Sequence, residues 1–135
     1  MTKRKLLLLI PLAIIAGFLI YTWTNILFMG FDSNWRHYVA LGLFVLLIYL
    51  YFKSFKKAIL ATGLYLLIGT CNLLTLTPSV TTDSYGIRIA SLEIATPMFQ
   101  LLSFGILVLY SILNFDTLVD IYLDYKEAKK AKQKK

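Results

Sequence analysis

The sequence predicts an all-α integral membrane protein: a four-transmembrane-helix bundle, both termini cytoplasmic, with the last helix extended into the cytoplasm. Three observations carry that expectation. Apolar residues make up 59% of the chain, charged residues only 16%, and the mean hydropathy is +0.72; soluble domains average roughly 45–50% apolar and about 25% charged. The apolar residues are gathered in four runs whose middles hold no acid or base. Lys and Arg, 14 against 7 Asp and Glu, concentrate at alternate ends of those runs. So few charges cannot cover the surface of a small folded chain in water, which excludes a soluble globule, and the apolar content excludes a disordered chain.

A helix needs about 20 apolar residues to cross the hydrocarbon core. The first span is expected over residues 6–28, a charge-free run behind the basic start Lys3-Arg4-Lys5. This run continues past signal-peptide length without an A-x-A-like site, so it reads as a retained signal-anchor helix. A short polar turn, residues 31–37, carries the aromatic anchor Trp35. The second span is expected over residues 38–55, with Lys53 snorkelling near its end. The basic turn 53–57 leads to a third span over residues 58–76, and the fourth is placed at residues 97–115.

Direction follows from the bases. Lys3, Arg4, Lys5, Lys53, Lys56, Lys57 and every lysine from Lys126 to Lys135 fall on one side; only Arg36 and Arg88 fall on the other. The first side should be the cytoplasm and the membrane a cell membrane. The net charge of +7 is then chiefly a retention signal, not a nucleic-acid footprint. Near-balanced charges, which dual-topology channels and exporters need, are absent from this chain.

The one long connection, residues 78–96, is external in this scheme. Within it, residues 86–94 alternate apolar and polar on both sides of Ala90-Ser91. A turn there would set Ile89 opposite Leu92, Arg88 opposite Glu93 and Ile87 opposite Ile94, a small hairpin. Ala-Ser lacks the Gly or Asn that primed turns favour, so an amphiphilic loop is the competing reading.

No proline follows Pro97, and an unbroken helix from there to the C-terminus would measure roughly 55 Å, well past the bilayer. On this helical tail, 116–135, Asp116, Asp120 and Asp124 recur every fourth residue, with Glu127 on the same face. Like charges at that spacing repel. Lys53, Lys56 and Lys57 emerge at the same membrane surface and are the expected counter-charges, reaching Asp116 first and then Asp120. Asp124 and Glu127, with Tyr122 and Tyr125, would remain for a partner. The lysines beyond Lys126 suit anionic headgroups.

Within the spans the polar side chains are uncharged. Asn25, Asn72, Thr75 and Gln100 are the candidate intramembrane contacts. They would either converge in a polar pocket near the outer face or hold helices together by hydrogen bonds. Small residues at Ala13, Gly17, Gly63, Gly69 and Thr70 suit close helix approach.

For function the exclusions matter most. No ionisable residue lies mid-span, as proton-coupled transport usually requires. Cys71 has no cysteine partner in the chain and His37 no histidine partner, so thiol exchange and clustered metal sites are not expected, and no cofactor is implied. GxGxxG, P-loop, HExxH and GxSxG motifs are absent. The chain therefore reads as a non-enzymatic accessory subunit or immunity-type protector that works through helix packing and its cytoplasmic helix. Its expected partner is a membrane protein or a second copy of itself. A homo-oligomeric channel or membrane-perturbing effector, with the aspartates as a vestibule, is the alternative. A small-molecule carrier using Asn25, Asn72 and Gln100 ranks last, for want of a coupling residue.

Overall fold

The computed structural model describes residues 3–78, 86–89, 92–95 and 100–133. Five helices and one two-stranded hairpin follow in the order α1 (Lys3–Met29), α2 (Trp35–Lys53), α3 (Phe55–Thr70), β1 (Gly86–Ile89), β2 (Leu92–Ala95), α4 (Leu101–Leu113) and α5 (Phe115–Gln133). The class is all-helical apart from the hairpin. α1 and α2 are long and apolar enough to cross a membrane, and α4 with α5 forms a third candidate if that bent pair is one span.

On α1 a stripe of Leu8, Leu12, Ile15 and Leu19 is buried, the spacing that keeps one helical face against its neighbours. The other faces are equally apolar but exposed: Phe28 is 83% accessible and Phe52, on α2, 81%. An apolar exterior this extensive is what a hydrocarbon solvent accommodates and water does not.

Three tyrosines join the helices by donating to main-chain carbonyls. Tyr51 reaches Lys5 O at 3.1 Å, Tyr65 reaches Ala40 O at 3.1 Å and Tyr110 reaches Ile59 O at 2.7 Å. Each bond joins the late part of one helix to the early part of another, so α1 to α4 run in alternating directions. The start of α1, the α2–α3 junction and the end of α4 therefore share one end of the molecule.

Helix α2 starts earlier than its apolar run, at Trp35. His37 Nδ1 accepts the Asn34 main-chain N–H at 3.0 Å, and the His37 N–H bonds Asn34 O at 2.9 Å, satisfying groups a helix start leaves open. At its other end α2 stops at Lys53. A single extended residue, Ser54 (φ −153°), separates it from α3, so Phe55 belongs to α3 and not to a span over 38–55.

The third run departs furthest from expectation. Residues 58–76 are not one helix: α3 has 16 residues and ends at Thr70, shorter than the roughly 17–25 that span unaided. Asn72 takes the left-handed conformation, φ 59°. Its N–H bonds Gly69 O at 3.0 Å, and the Leu73 N–H bonds Ile68 O at 3.1 Å, the paired bonds of a Schellman helix stop. Residues 71–78 then continue as irregular chain with Leu74, Thr75 and Leu76 buried. Their carbonyls find donors elsewhere. Thr22 Oγ1 donates to Leu76 O at 2.7 Å and His37 Nε2 to Thr77 O at 3.0 Å, as irregular backbone inside an apolar body requires.

The fourth run is corrected too. Gln100 precedes α4, and α4 ends at Leu113. Asn114 then breaks the chain, and α5 departs at 72°, so no straight helix runs through to the C-terminus. The Asn114 side-chain amide donates to Tyr110 O at 3.1 Å while the Asn114 main-chain N–H uses the same carbonyl at 3.0 Å. An asparagine that competes locally with the helix ladder in this way favours a helix end.

Strands β1 and β2 pair antiparallel with Ile87 opposite Ile94, Arg88 opposite Glu93 and Ile89 opposite Leu92, the register that the alternation predicts. Ala90 and Ser91, the expected turn, lie outside the described residues.

Candidate functional site

Chemistry-bearing side chains gather at the two ends of the packed helices. At the end holding Lys3 and Ser54, α5 bends across the start of α1 and the start of α3. Its inner face seats Thr117, which is buried, and Leu118 and Ile121, which pack on the apolar core. Beside these apolar anchors run the carboxylates. Asp120 bonds Arg4 Nη1 at 2.7 Å, with side chains 51% and 53% exposed. Asp124 bonds Lys56 at 2.6 Å, with side chains 61% and 67% exposed. Water screens both pairs, so each contributes about 0–1 kcal/mol.

The structure thus joins the aspartate row to the basic turn but changes the partners. Asp116, the expected first contact, is exposed and has no ion pair among the described residues, and neither has Lys57. Lys53 turns to its own helix, donating to Tyr49 Oη at 2.7 Å and lying 5.2 Å from that ring's centre. Asp124, expected to be free, holds Lys56. The bend at Asn114 explains the exchange. On a straight helix, distance along the row is depth in water; on a helix bent by 72° it becomes lateral travel across the other helices, which carries Asp124 to the start of α3. Arg4 was not among the expected counter-charges, because as a topology-setting base it carried no sign of a specific partner.

Between α5 and the other helices lies a cleft of about 540 Å³. Three bases (Arg4, Lys5, Lys56), three acids (Asp120, Asp124, Glu127) and the apolar Phe55, Ile121 and Leu123 line it, with Thr117. Glu127 joins no ion pair among the described residues.

At the opposite end Asn25, Asn72, Thr75 and Gln100 are buried, and among the described residues they do not bond one another. Asn25 Nδ2 donates to Tyr21 O of its own helix at 2.7 Å. Gln100 Oε1 accepts from Ser103 Oγ at 2.8 Å, and the Gln100 main-chain N–H bonds Thr70 O at 3.1 Å, which docks the start of α4 on the end of α3. Asn72, Thr75 and Gln100 are 7%, 0% and 1% exposed, yet Asn72 Oδ1, Thr75 Oγ1 and Gln100 Nε2 find no partner among the described residues. Of the two readings of Asn25, Asn72 and Gln100, a shared polar pocket or bonds that hold helices together, the described residues form no shared pocket: the three have separate packing roles, with Asn72 acting as the helix stop.

His37 emerges as a structural residue. Because Nδ1 accepts from the Asn34 N–H, the ring proton sits on Nε2 and is donated to Thr77 O. The sequence marks residues 31–37 only as a polar turn with an aromatic anchor, and the link to Thr77 crosses the fold and leaves no local signal. Among the described residues, no group of three or more His, Cys, Asp or Glu is placed to hold a metal ion. Arg88 and Glu93 are cross-strand partners by register. No protein-family model, curated protein or solved structure matches the chain.

Proposed function

We propose that this is a four-pass protein of a cell membrane, both termini cytoplasmic, that acts without catalysis as an accessory subunit or protector by presenting α5 to a membrane-protein partner. The observation that carries this reading is α5 itself. Its acidic inner face is engaged by Arg4 and Lys56, while Phe115, Val119, Tyr122 and Tyr125 are exposed. Exposed aromatics on a fixed helix are the usual anchors of an interface. Beyond them Lys126, Lys129 and Lys130 are exposed and suit anionic headgroups at the membrane surface. For the spans, the alternating helix directions and the twelve-to-two division of bases both support a four-pass path, with the segment 71–78 completing the third crossing.

Single cysteines in a Cys71→Ser background test the topology. In intact cells Ser33→Cys should react with an impermeant maleimide and Lys57→Cys only after lysis; equal labelling of the two would overturn the four-pass path. A photo-crosslinking residue at position 122 tests the partner face, with one discrete membrane-protein adduct expected there and none from position 20 on α1. The channel reading retains Asp116 as the one aspartate of the row without an ion pair among the described residues. Ion flux through reconstituted vesicles that Asp116→Asn abolishes would favour it over the accessory role.

A further inference from the structure

The cleft between α5 and the helix ends has an internal charge pattern that specifies a ligand. Two of its bases and two of its acids neutralise one another as Arg4–Asp120 and Lys56–Asp124. What remains among the lining residues is one cation, Lys5, and one anion, Glu127, neither in an ion pair among the described residues. A ligand complementary to that remainder carries one negative and one positive charge. It must also have an apolar part, because Phe55, Ile121 and Leu123 share the lining.

Deepening the membrane reading, and resting on it, the geometry points to a binding site for the headgroup of a zwitterionic primary-amine phospholipid, a phosphoethanolamine ester at the membrane surface. The cleft lies where α1 and α3 begin and α4 ends, the level at which headgroups sit on a membrane-spanning body. Lys5 offers an ammonium to the phosphate. Arg4 adds donors to it, since only Nη1 is bonded to Asp120 and a guanidinium has five N–H groups. Glu127 and the free oxygen of Asp124, whose Oδ2 alone holds Lys56, accept from the ligand's ammonium. Phe55 and Leu123 meet the first carbons of the acyl region.

The same groups select against other headgroups. A choline ammonium has no N–H to give to Glu127 and is held best by several aromatic faces, whereas Phe55 is the one aromatic ring in the lining. A glycerol headgroup is anionic without a compensating amine, so Glu127 and Asp124 oppose it. A volume of about 540 Å³ falls within the size range of small-molecule sites.

The test is thermal unfolding of the purified full-length protein in a non-ionic detergent, with short-chain (dioctanoyl) phospholipids added at matched concentration. Working in detergent keeps this measurement independent of topology, so the maleimide result and this one can fail separately. Near-saturating phosphatidylethanolamine should raise Tm by about 3 °C or more, while phosphatidylcholine and phosphatidylglycerol raise it by less than a third as much. Glu127→Gln should erase the preference for ethanolamine over choline, Lys5→Gln should weaken the response to both, and Asp32→Asn at the far end should change neither. Equal shifts for ethanolamine and choline lipids on the unaltered protein would overturn the proposal, as would a preference that survives Glu127→Gln. Free O-phosphoethanolamine reproducing the full shift would overturn the lipid assignment and make the cleft a site for the soluble group.

Discussion

Replacing Gly69 by alanine tests the tightest of the glycine positions among the described residues. A Cβ built at Gly69 lies 2.8 Å from Ser103 Oγ, 3.1 Å from Ser103 Cβ and 3.1 Å from Leu74 Cδ1, inside the roughly 3.5–4.0 Å of an unstrained carbon contact. Ser103 cannot rotate away freely, because its hydroxyl is bonded to Gln100 Oε1 at 2.8 Å and the Gln100 amide nitrogen already has no partner among the described residues. Overpacking of this kind costs about 1–3 kcal/mol, against at most about 0.5–1 kcal/mol recovered by replacing a helical glycine. The net expectation is a loss of about 1–2 kcal/mol. Gly17 and Gly105 are the controls, since a Cβ there meets nothing within 4 Å; alanine at either should raise stability by about 0.5–1 kcal/mol. The gap between Gly69→Ala and Gly105→Ala is then about 2 kcal/mol, some thirtyfold in the unfolding equilibrium. Gly63→Ala should fall between them, its nearest neighbour being Tyr110 Cε1 at 3.3 Å. Reversible denaturation in mixed micelles, or steric trapping in bicelles, gives these differences. Adding Ser103→Ala should restore part of the Gly69→Ala loss by removing the 2.8 Å contact. If Gly69→Ala proves as stable as Gly105→Ala, α3 and α4 do not approach at Gly69 and Ser103.

Further expectations concern the helix stops and the ties between elements. At position 72, with φ 59°, Asn72→Gly should be neutral or stabilising, whereas Asn72→Leu should lose about 1–2 kcal/mol to left-handed strain, both read from the same unfolding curves. Tyr110→Phe deletes the 2.7 Å bond to Ile59 O and should cost about 0.6 kcal/mol, the usual yield of an interhelical bond in a membrane; no measurable change would mean the hydroxyl bonds elsewhere. Asp124→Lys should loosen α5 and Lys56→Asp should restore it, followed by limited proteolysis of α5, while Asp116→Lys should leave its protection unchanged. That protection should also fall as salt rises, because both ion pairs are more than half exposed.

What the sequence discloses depends on whether a signal is averaged or single. The runs behind α1 and α2 are long averages of apolar residues, and their helices lie close to where those runs predict. The hairpin register is another repeated signal: alternation alone sets Arg88 opposite Glu93. The two larger errors of extent, in the third and fourth runs, come from one asparagine each. Asn72 lies in an apolar run where hydropathy is indifferent to φ, although Asn is the residue after Gly that most readily turns left-handed. Asn114 stands alone between Leu113 and Phe115, and its bond back to Tyr110 is invisible to periodicity. The candidate site inherits the second error. The aspartate spacing indicated a basic partner, but which aspartate would meet which base depended on an angle that no local pattern encodes.

Residues 70–77 also bear on how a disturbance would travel. Thr70 O is held by α4, Leu76 O by α1 and Thr77 O by α2, so three elements grip one short stretch that belongs to none of them. The chain enters the hairpin segment from this stretch. A pull arriving at Pro78 would therefore be shared at once by every helix tied to residues 70–77. Cutting one tie, as Thr22→Val would, redistributes that load over the other two. The fold thus behaves at this end as a triangulated frame for as long as its three attachments hold.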